Sequence, residues 1–167
     1  IGAKADGSGN DETAARAVCD EIEAMGGEAV PHFGDVADWN DSKAMFETAV
    51  REFGDANIVI CNAGFVRDAT LFNMTEADFD SVIRVHLKGH FCTMRHATAY
   101  WRERAKAGGD VYGRLISTSS ESALYAPPGQ PNYSAAKAGI VALTLGAAQL
   151  MHKYGITANV LMPRART

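Results

Sequence analysis

The sequence predicts an α/β fold: a doubly wound parallel sheet with helices on both of its faces. Helical and strand-like patterns alternate along the 167 residues, which is the order that crossover connections between parallel strands produce. The run at 58–61 is continuously apolar, as in a strand buried on both faces. Polar or glycine-containing segments follow the predicted strands, at the sheet edge where such folds bind ligands. These three observations indicate a single domain.

Composition excludes several classes of protein. The chain is 47% hydrophobic and 22% charged, which suits a globular domain with a real core. Its net charge of −4 does not suggest nucleic acid or an anionic membrane as a partner. No apolar run reaches the roughly 18–20 residues that span a bilayer. Cys19, Cys61 and Cys92 are far apart and form no paired motif, which favours reduced thiols and a cytoplasmic location.

Hydrophobic spacing and capping residues define eight elements after a loop over residues 1–10. Asn10 or Asp11 suits the N-cap of the first helix, and Thr75 begins a third helix with a start resembling a capping box. Gly54 and Gly155 are placed to end the second and fourth helices. The helices are predicted over about 11–25, 41–53, 75–104 and 132–154, and the strands over 29–33, 58–61, 114–119 and 157–162.

The same spacing predicts which helix faces are buried. Pro31 within the first strand suits an edge position or a strand start, because proline has no N–H for a ladder hydrogen bond. The inward residues are Ala14, Val18, Ile22 and Met25 in the first helix, and Phe46, Ala49, Val50 and Phe53 in the second.

A serine, a tyrosine and a lysine form the main candidate site. Ser120 follows a predicted strand, while Tyr133 and Lys137 are four residues apart and share one face of the next helix. An ammonium stabilises a neighbouring phenolate, so the phenol can give a proton to a carbonyl oxygen or take one from an alcohol. A serine hydroxyl can hydrogen-bond the same oxygen. The Tyr-x-x-x-Lys spacing alone is weak, because it occurs often by chance.

Three further segments also follow predicted strands. Asp35, the segment Asn62-Ala63-Gly64 and Pro163 lie directly after strands, as Ser120 does. The carboxyl ends of parallel strands meet at one edge of a sheet, so these residues are predicted to surround a common ligand site.

These residues together resemble the short-chain dehydrogenase/reductase family. The resemblance rests on Asp35-Val36, Asn62-Ala63-Gly64, Ser120 and the Tyr133-x-x-x-Lys137 spacing. Within that family, the segments 62–68 and 84–89 look like the (3R)-hydroxyacyl-CoA dehydrogenase unit of peroxisomal multifunctional enzymes. They also look like bacterial 3-oxoacyl-carrier-protein reductases.

The resemblance implies a Rossmann-like enzyme that transfers a hydride between NAD or NADP and a secondary alcohol or ketone, such as a 3-hydroxyacyl or 3-oxoacyl thioester. Tyr133 would act as acid and base, Lys137 would assist its ionisation and hold the nicotinamide ribose, and Ser120 would orient the substrate oxygen. The implied cofactor contacts are Asp35, Val36, Asn62, Ala63, Gly64, Thr118, Tyr133, Lys137 and Pro163. Pairing through the two long helices into a homodimer or homotetramer is implied as well.

The sequence departs from the family pattern in several places. No G-x-x-x-G-x-G motif occurs, so residues 1–167 are expected to be one dinucleotide-binding and catalytic domain without its first strand–helix–strand unit and its C-terminal end. His86 stands where most members have an asparagine that supports a proton path to the lysine, and it is the fourth catalytic candidate. Ala123 and Arg164 replace usual glycines.

Two other interpretations remain. A non-catalytic relative that acts as a dimerisation or scaffold module would fit the absent glycine-rich turn, although Ser120, Tyr133 and Lys137 speak against it. His86 and His90 have the i, i+4 spacing of metal ligands, but no H-E-x-x-H motif or second cluster supports them, and no metal is predicted.

Overall fold

The computed structural model describes residues 11–164, which contain a three-stranded parallel sheet. The strands are β1 (Ile58–Cys61), β2 (Arg114–Thr118) and β3 (Thr157–Leu161), in the order β1-β2-β3. Ile60 pairs with Ile116, and Ile116 pairs with Asn159, so the register runs straight across the sheet. Helices join consecutive strands, and the predicted α/β class with a parallel sheet is confirmed.

The helices begin and end close to the predicted positions. Asp11 caps the first helix by accepting a hydrogen bond from the backbone N–H of Thr13, and Thr75 caps the third in the same way from Asp78. Gly54 and Gly155 adopt left-handed φ angles of 77° and 74° after their helices. The helices are α1 (Glu12–Ala24), α2 (Trp39–Phe53), α3 (Glu76–Ile83), α4 (Gly89–Lys106), α5 (Ser122–Tyr125) and α6 (Pro131–Met151), with 3-10 turns at Leu71–Asn73 and His152–Tyr154.

The long third helix of the prediction is continuous in the structure, but its middle is not α-helical. A five-residue π-helical segment, Arg84–Lys88, joins α3 to α4. Such segments are rare and occur often at functional sites, because they change the direction of the side chains that they carry. His86 lies at the centre of this segment.

The core lies between the sheet, α2, α4 and α6. Trp101, Leu115, Met151 and Ile156 are at most 1% exposed and belong to one cluster. The indole Nε1 of Trp101 donates a hydrogen bond to the carbonyl of Ala56 at 2.6 Å, which anchors α4 to the chain entering β1. This core fixes the sheet edge on which the candidate site is built.

The predicted strand at 29–33 is wrong, because those residues form no strand. A strand needs a neighbour for its backbone N–H and C=O groups. In the described sheet β1 pairs only with β2, and Pro31 has no N–H to contribute to a ladder. Local β-propensity was therefore not sufficient to make residues 29–33 a strand.

Several predicted burial patterns are also wrong. Val18 in α1 and Met25, directly after α1, are 54% and 79% exposed, and Phe53 in α2 is 46% exposed. Ile58 and Ile60 in β1 are 57% and 61% exposed, so one face of this strand is open within residues 11–164. Hydrophobic spacing identifies an apolar face, but burial requires a second layer against that face.

The segment Pro131–Tyr154, which includes α6, meets the length and composition criteria for a membrane span, with a mean hydropathy of 1.3 over 18 residues. No other helix in residues 11–164 meets them. The sequence prediction did not recognise this segment. Core helices meet the same criteria, and Ile140 and Thr144 of α6 are fully buried in the present fold.

Candidate active site

A cavity of about 460 Å³ lies at the carboxyl ends of the three strands. It is bounded by the loops that follow β1, β2 and β3, by the π-helical segment and by the start of α6. Eight of the eleven predicted site residues line it: Asn62, Gly64, His86, Thr118, Ser120, Tyr133, Lys137 and Pro163. The structure therefore brings most of the predicted site together.

The other three predicted residues lie elsewhere. Val36 and Ala63 line a second cavity of about 90 Å³, beside the main one and shared with Asn62. Asp35 lines neither cavity. One of its carboxylate oxygens accepts a hydrogen bond from the N–H of Ala37 at 2.8 Å, and the other pairs with Arg84 at 2.5 Å.

The start of α6 is anchored by a buried side chain. Asn132 is 0% exposed, and its Nδ2 donates to the carbonyls of Arg67 at 3.0 Å and Asp78 at 3.3 Å. Its Oδ1 accepts from the N–H of Tyr133 at 2.7 Å. The helix that carries Tyr133 is thus tied to the loop after β1 and to α3.

Lys137 is buried beside Tyr133. Its Nζ donates to the carbonyl of Thr118 at 2.7 Å and lies 5.3 Å from the centroid of the Tyr133 ring. Burial lowers the pKa of Lys137 to about 8, because a desolvated ammonium is less stable than a solvated one. A cation held here can stabilise negative charge on the neighbouring phenol.

Two adjacent serines after β2 have different roles. Ser119 is 1% exposed, and its Oγ donates to the carbonyl of Lys137 at 2.8 Å, which joins the strand end to α6. Ser120 faces the cavity, and its Oγ accepts from the N–H of Ser122 at 3.2 Å. The proton of the Ser120 hydroxyl therefore remains free for an oxygen in the cavity.

His86 is packed between the loop after β1 and the ring of Tyr133. Its Nε2 lies 2.7 Å from the carbonyl oxygen of Phe65, and its ring meets that of Tyr133 edge-on at 5.2 Å. A Cβ on Gly64 would lie 2.1 Å from His86 Cε1, so only glycine fits there. Burial lowers the pKa of His86 to about 4, which makes the imidazole neutral at neutral pH.

The same Nε2 lies 3.1 Å from the backbone nitrogen of Phe65, so it faces both a donor and an acceptor of that residue. Nδ1 of His86 is buried and has no hydrogen-bond partner among the described residues. His90, one helical turn further, lines the smaller cavity, and burial lowers its pKa to about 4 as well. No group of three or more His, Cys, Asp or Glu in residues 11–164 could hold a metal ion.

Sequence reasoning missed three polar residues of the cavity wall: Glu121, Ser122 and Gln130. Glu121 and Ser122 directly follow Ser120, and Gln130 immediately precedes α6. Their positions in the sequence were a usable signal. Polar residues directly after Ser120, or directly before the helix of Tyr133, are placed to face the same cavity as those two residues.

The arrangement offers two hydroxyl groups and a cation around one cavity. Ser120 and Tyr133 can each donate a hydrogen bond to an oxygen, and Lys137 stabilises negative charge next to the phenol. This combination suits proton exchange with a carbonyl or alcohol oxygen.

Several known proteins are similar to this one over most of its chain. The hydroxyacyl-CoA dehydrogenase ChsB1 of Mycobacterium tuberculosis is 51% identical over 156 residues, covering 90% of this chain and 49% of that protein. The peroxisomal hydratase-dehydrogenase-epimerase of Neurospora crassa is 41% identical, covering 99% of this chain and 17% of that protein. The structure of a short chain dehydrogenase from Mycobacterium avium has a TM-score of 0.90 at 55% identity, covering 92% of this chain and 54% of that one.

The chain thus spans about half the length or less of these relatives. The matches confirm the resemblance to the short-chain dehydrogenase/reductase family. Residues 2–165 match the family described as short chain dehydrogenase, and the chain belongs to that family.

Proposed function

We propose that the natural protein transfers a hydride between a nicotinamide cofactor, NAD or NADP, and a secondary alcohol or ketone. The preferred substrate is a 3-hydroxyacyl or 3-oxoacyl thioester, since similar proteins carry the names hydroxyacyl-CoA dehydrogenase and 3-oxoacyl-[acyl-carrier-protein] reductase. The observation that carries the proposal is the meeting of Ser120, Tyr133 and Lys137 in one cavity. The non-catalytic alternative has no comparable support.

The residues of the cavity fit a nicotinamide cofactor. Asn62 and Gly64 at the end of β1, Thr118 at the end of β2 and Pro163 after β3 line the same cavity as Tyr133 and Lys137. In this proposal, Lys137 and Tyr133 hold the nicotinamide ribose, and Thr118 and Pro163 flank the ring. Asp35, Val36 and Ala63 would contact the adenine side, and the small cavity at Val36 and Ala63 supports that assignment. The bound nicotinamide would supply or accept the hydride.

The chain's own residues would handle the proton. Ser120 donates its free O–H to the substrate oxygen and orients it. Tyr133 takes the proton from an alcohol or gives one to a ketone, while the ammonium of Lys137 stabilises the phenolate form. His86 supports the Tyr133 ring from its edge and, being neutral, adds no charge of its own.

The test is Tyr133→Phe in the natural full-length protein. Removing the phenol oxygen eliminates the acid/base step, so turnover is expected to fall by at least ~100-fold. Cofactor affinity, measured by fluorescence titration with NADH and NADPH, is expected to change little because the ring and Lys137 remain. Tyr112→Phe is the matched control, since Tyr112 is 55% exposed and lies before β2 at the opposite end of the sheet. Unchanged turnover in Tyr133→Phe would contradict the proposed role.

We also propose a homodimer or homotetramer in the cytoplasm, formed through α4 and α6. These helices and the π-helical segment border an open groove of about 730 Å³ whose walls are mainly apolar. Phe91, in its wall, is 45% exposed, and Ala142 and Gly146 offer small side chains for close helix contact.

We further propose that residues 1–167 are part of a single, longer dinucleotide-binding domain. The greater length of the similar proteins supports this proposal.

A further inference from the structure

The side chain of Gln130 joins two loops at the wall of the main cavity. Its Oε1 accepts a hydrogen bond from the Ser122 hydroxyl at 3.1 Å. Its Nε2 donates to the carboxylate of Asp68, at 3.1 Å to Oδ2 and 3.3 Å to Oδ1. The two ends of one amide therefore connect the loop after β1 with the segment after β2.

The connection continues to the candidate catalytic serine. Ser122 is 7% exposed, and its backbone N–H donates to Ser120 Oγ at 3.2 Å. This contact occupies an acceptor site of Ser120 and leaves its proton for a substrate oxygen. A shift of Ser122 would therefore move or rotate the Ser120 hydroxyl.

Asp68 determines which way the Gln130 amide points. A carboxylate only accepts hydrogen bonds, so it attracts the amide NH₂ and repels the amide oxygen. The oxygen is thereby directed to the hydroxyl of Ser122. The same two loops are joined a second time by the N–H of Ala69, which donates to the carbonyl of Gly129 at 2.9 Å.

Gln130 also precedes the helix that carries Tyr133. Its carbonyl accepts from the N–H of Ser134 at 2.8 Å in the first turn of α6. One residue thus touches both the Ser120 segment, through its side chain, and the start of the Tyr133 helix, through its backbone.

We propose that Gln130 is a positioning residue that holds the Ser120 hydroxyl in place relative to Tyr133, with Asp68 fixing the direction of its amide. The inference rests on the proposed function, because it assigns a purpose to the alignment of Ser120 with Tyr133. Gln130 acts through Ser122 and needs no contact with the reacting atoms.

The experiment exchanges the amide of Gln130 and the carboxylate of Asp68, singly and together, in the natural full-length protein. Gln130→Glu places two carboxylates face to face, so we expect kcat with a 3-hydroxyacyl thioester to fall about tenfold or more, while the KM for the nicotinamide cofactor stays within about twofold. Asp68→Asn leaves an amide facing an amide, and a smaller loss is expected. The double variant restores an amide facing a carboxylate, so its kcat should recover most of the loss.

Gln149→Glu is the matched control, because Gln149 is an exposed residue near the far end of α6, the helix that Gln130 precedes. Urea unfolding of every variant separates a folding defect from a loss of alignment. If the wild-type protein turns over the substrate and Gln130→Glu has the same kcat, the inference about Gln130 is overturned and the proposed function is not. A double variant no more active than Gln130→Glu would overturn it as well. A wild-type protein that binds cofactor but oxidises no secondary alcohol would overturn the proposed function, and the inference with it.

Discussion

Gly64→Ala is expected to destabilise the protein, because the new methyl group would enter the space of the His86 ring. The added Cβ would lie 2.1 Å from Cε1, 2.7 Å from Nδ1 and 2.8 Å from Nε2 of His86. Non-bonded carbon atoms prefer about 3.5–4.0 Å, so the overlap exceeds ~1 Å and one group must move.

The magnitude follows from what holds His86 in place. The ring is 2% exposed and is fixed by the backbone of Phe65 and by the edge contact with Tyr133. Overpacking a core by one methyl group typically costs about 1–3 kcal/mol. Displacing the ring also weakens the contact with Phe65, for about 0.5–1.5 kcal/mol. We therefore expect a loss of about 1.5–4.5 kcal/mol in the free energy of unfolding.

Urea unfolding of the natural full-length protein measures this loss. With a slope of ~3 kcal/mol/M, the midpoint should fall by about 1 M. Gly129→Ala is the matched control, because a Cβ there meets no atom within 4 Å. In a His86→Ala background the space is open, and Gly64→Ala should cost little. A Gly64→Ala midpoint equal to that of the wild type would refute the steric argument.

Two further predictions concern pH and assembly. Burial lowers the pKa of both His86 and His90 from 6.5 to about 4, so below pH 6.5 the unfolded chain binds protons that the folded chain does not. The contribution of the two histidines to the free energy of unfolding is therefore fully present above about pH 6.5. It is lost as the pH falls toward 4, by on the order of 3 kcal/mol for each histidine. A flat profile of unfolding free energy between pH 7 and pH 4 would contradict this. Ala142→Arg places a charged chain in the apolar groove and should shift the protein toward monomers in sedimentation velocity. A wild-type protein that is already monomeric would contradict the proposed pairing through α4 and α6.

The main elements of the site were predictable because local rules define them. Ser120 lies at the end of a strand whose apolar pattern was clear. Tyr133 and Lys137 share a helix face through their spacing alone. Parallel strands then bring their carboxyl ends to one edge, which places Asn62, Gly64 and Pro163 near the same cavity. No knowledge of distant contacts was needed for any of these residues.

The remaining features depend on contacts between distant parts of the chain. Gln130 meets Asp68 across 62 positions, and no periodic pattern reports such a contact. The errors at Val18, Ile58 and Ile60 have a related cause. Periodicity shows that a face is apolar, but whether it is buried depends on another layer, which the described residues do not place over it.

Burial also sets the charge state of three basic groups, two at the main cavity and one at the smaller cavity beside it. Lys137, His86 and His90 are each at most 3% exposed, and desolvation lowers all three pKa values. The lysine starts from an ordinary value of 10.5 and ends near 8, whereas the histidines start from 6.5 and end near 4. At neutral pH the same burial therefore leaves the lysine charged and both imidazoles neutral. A cation can then lie beside the phenol without repulsion from charged histidines, as the proposed role of Lys137 requires.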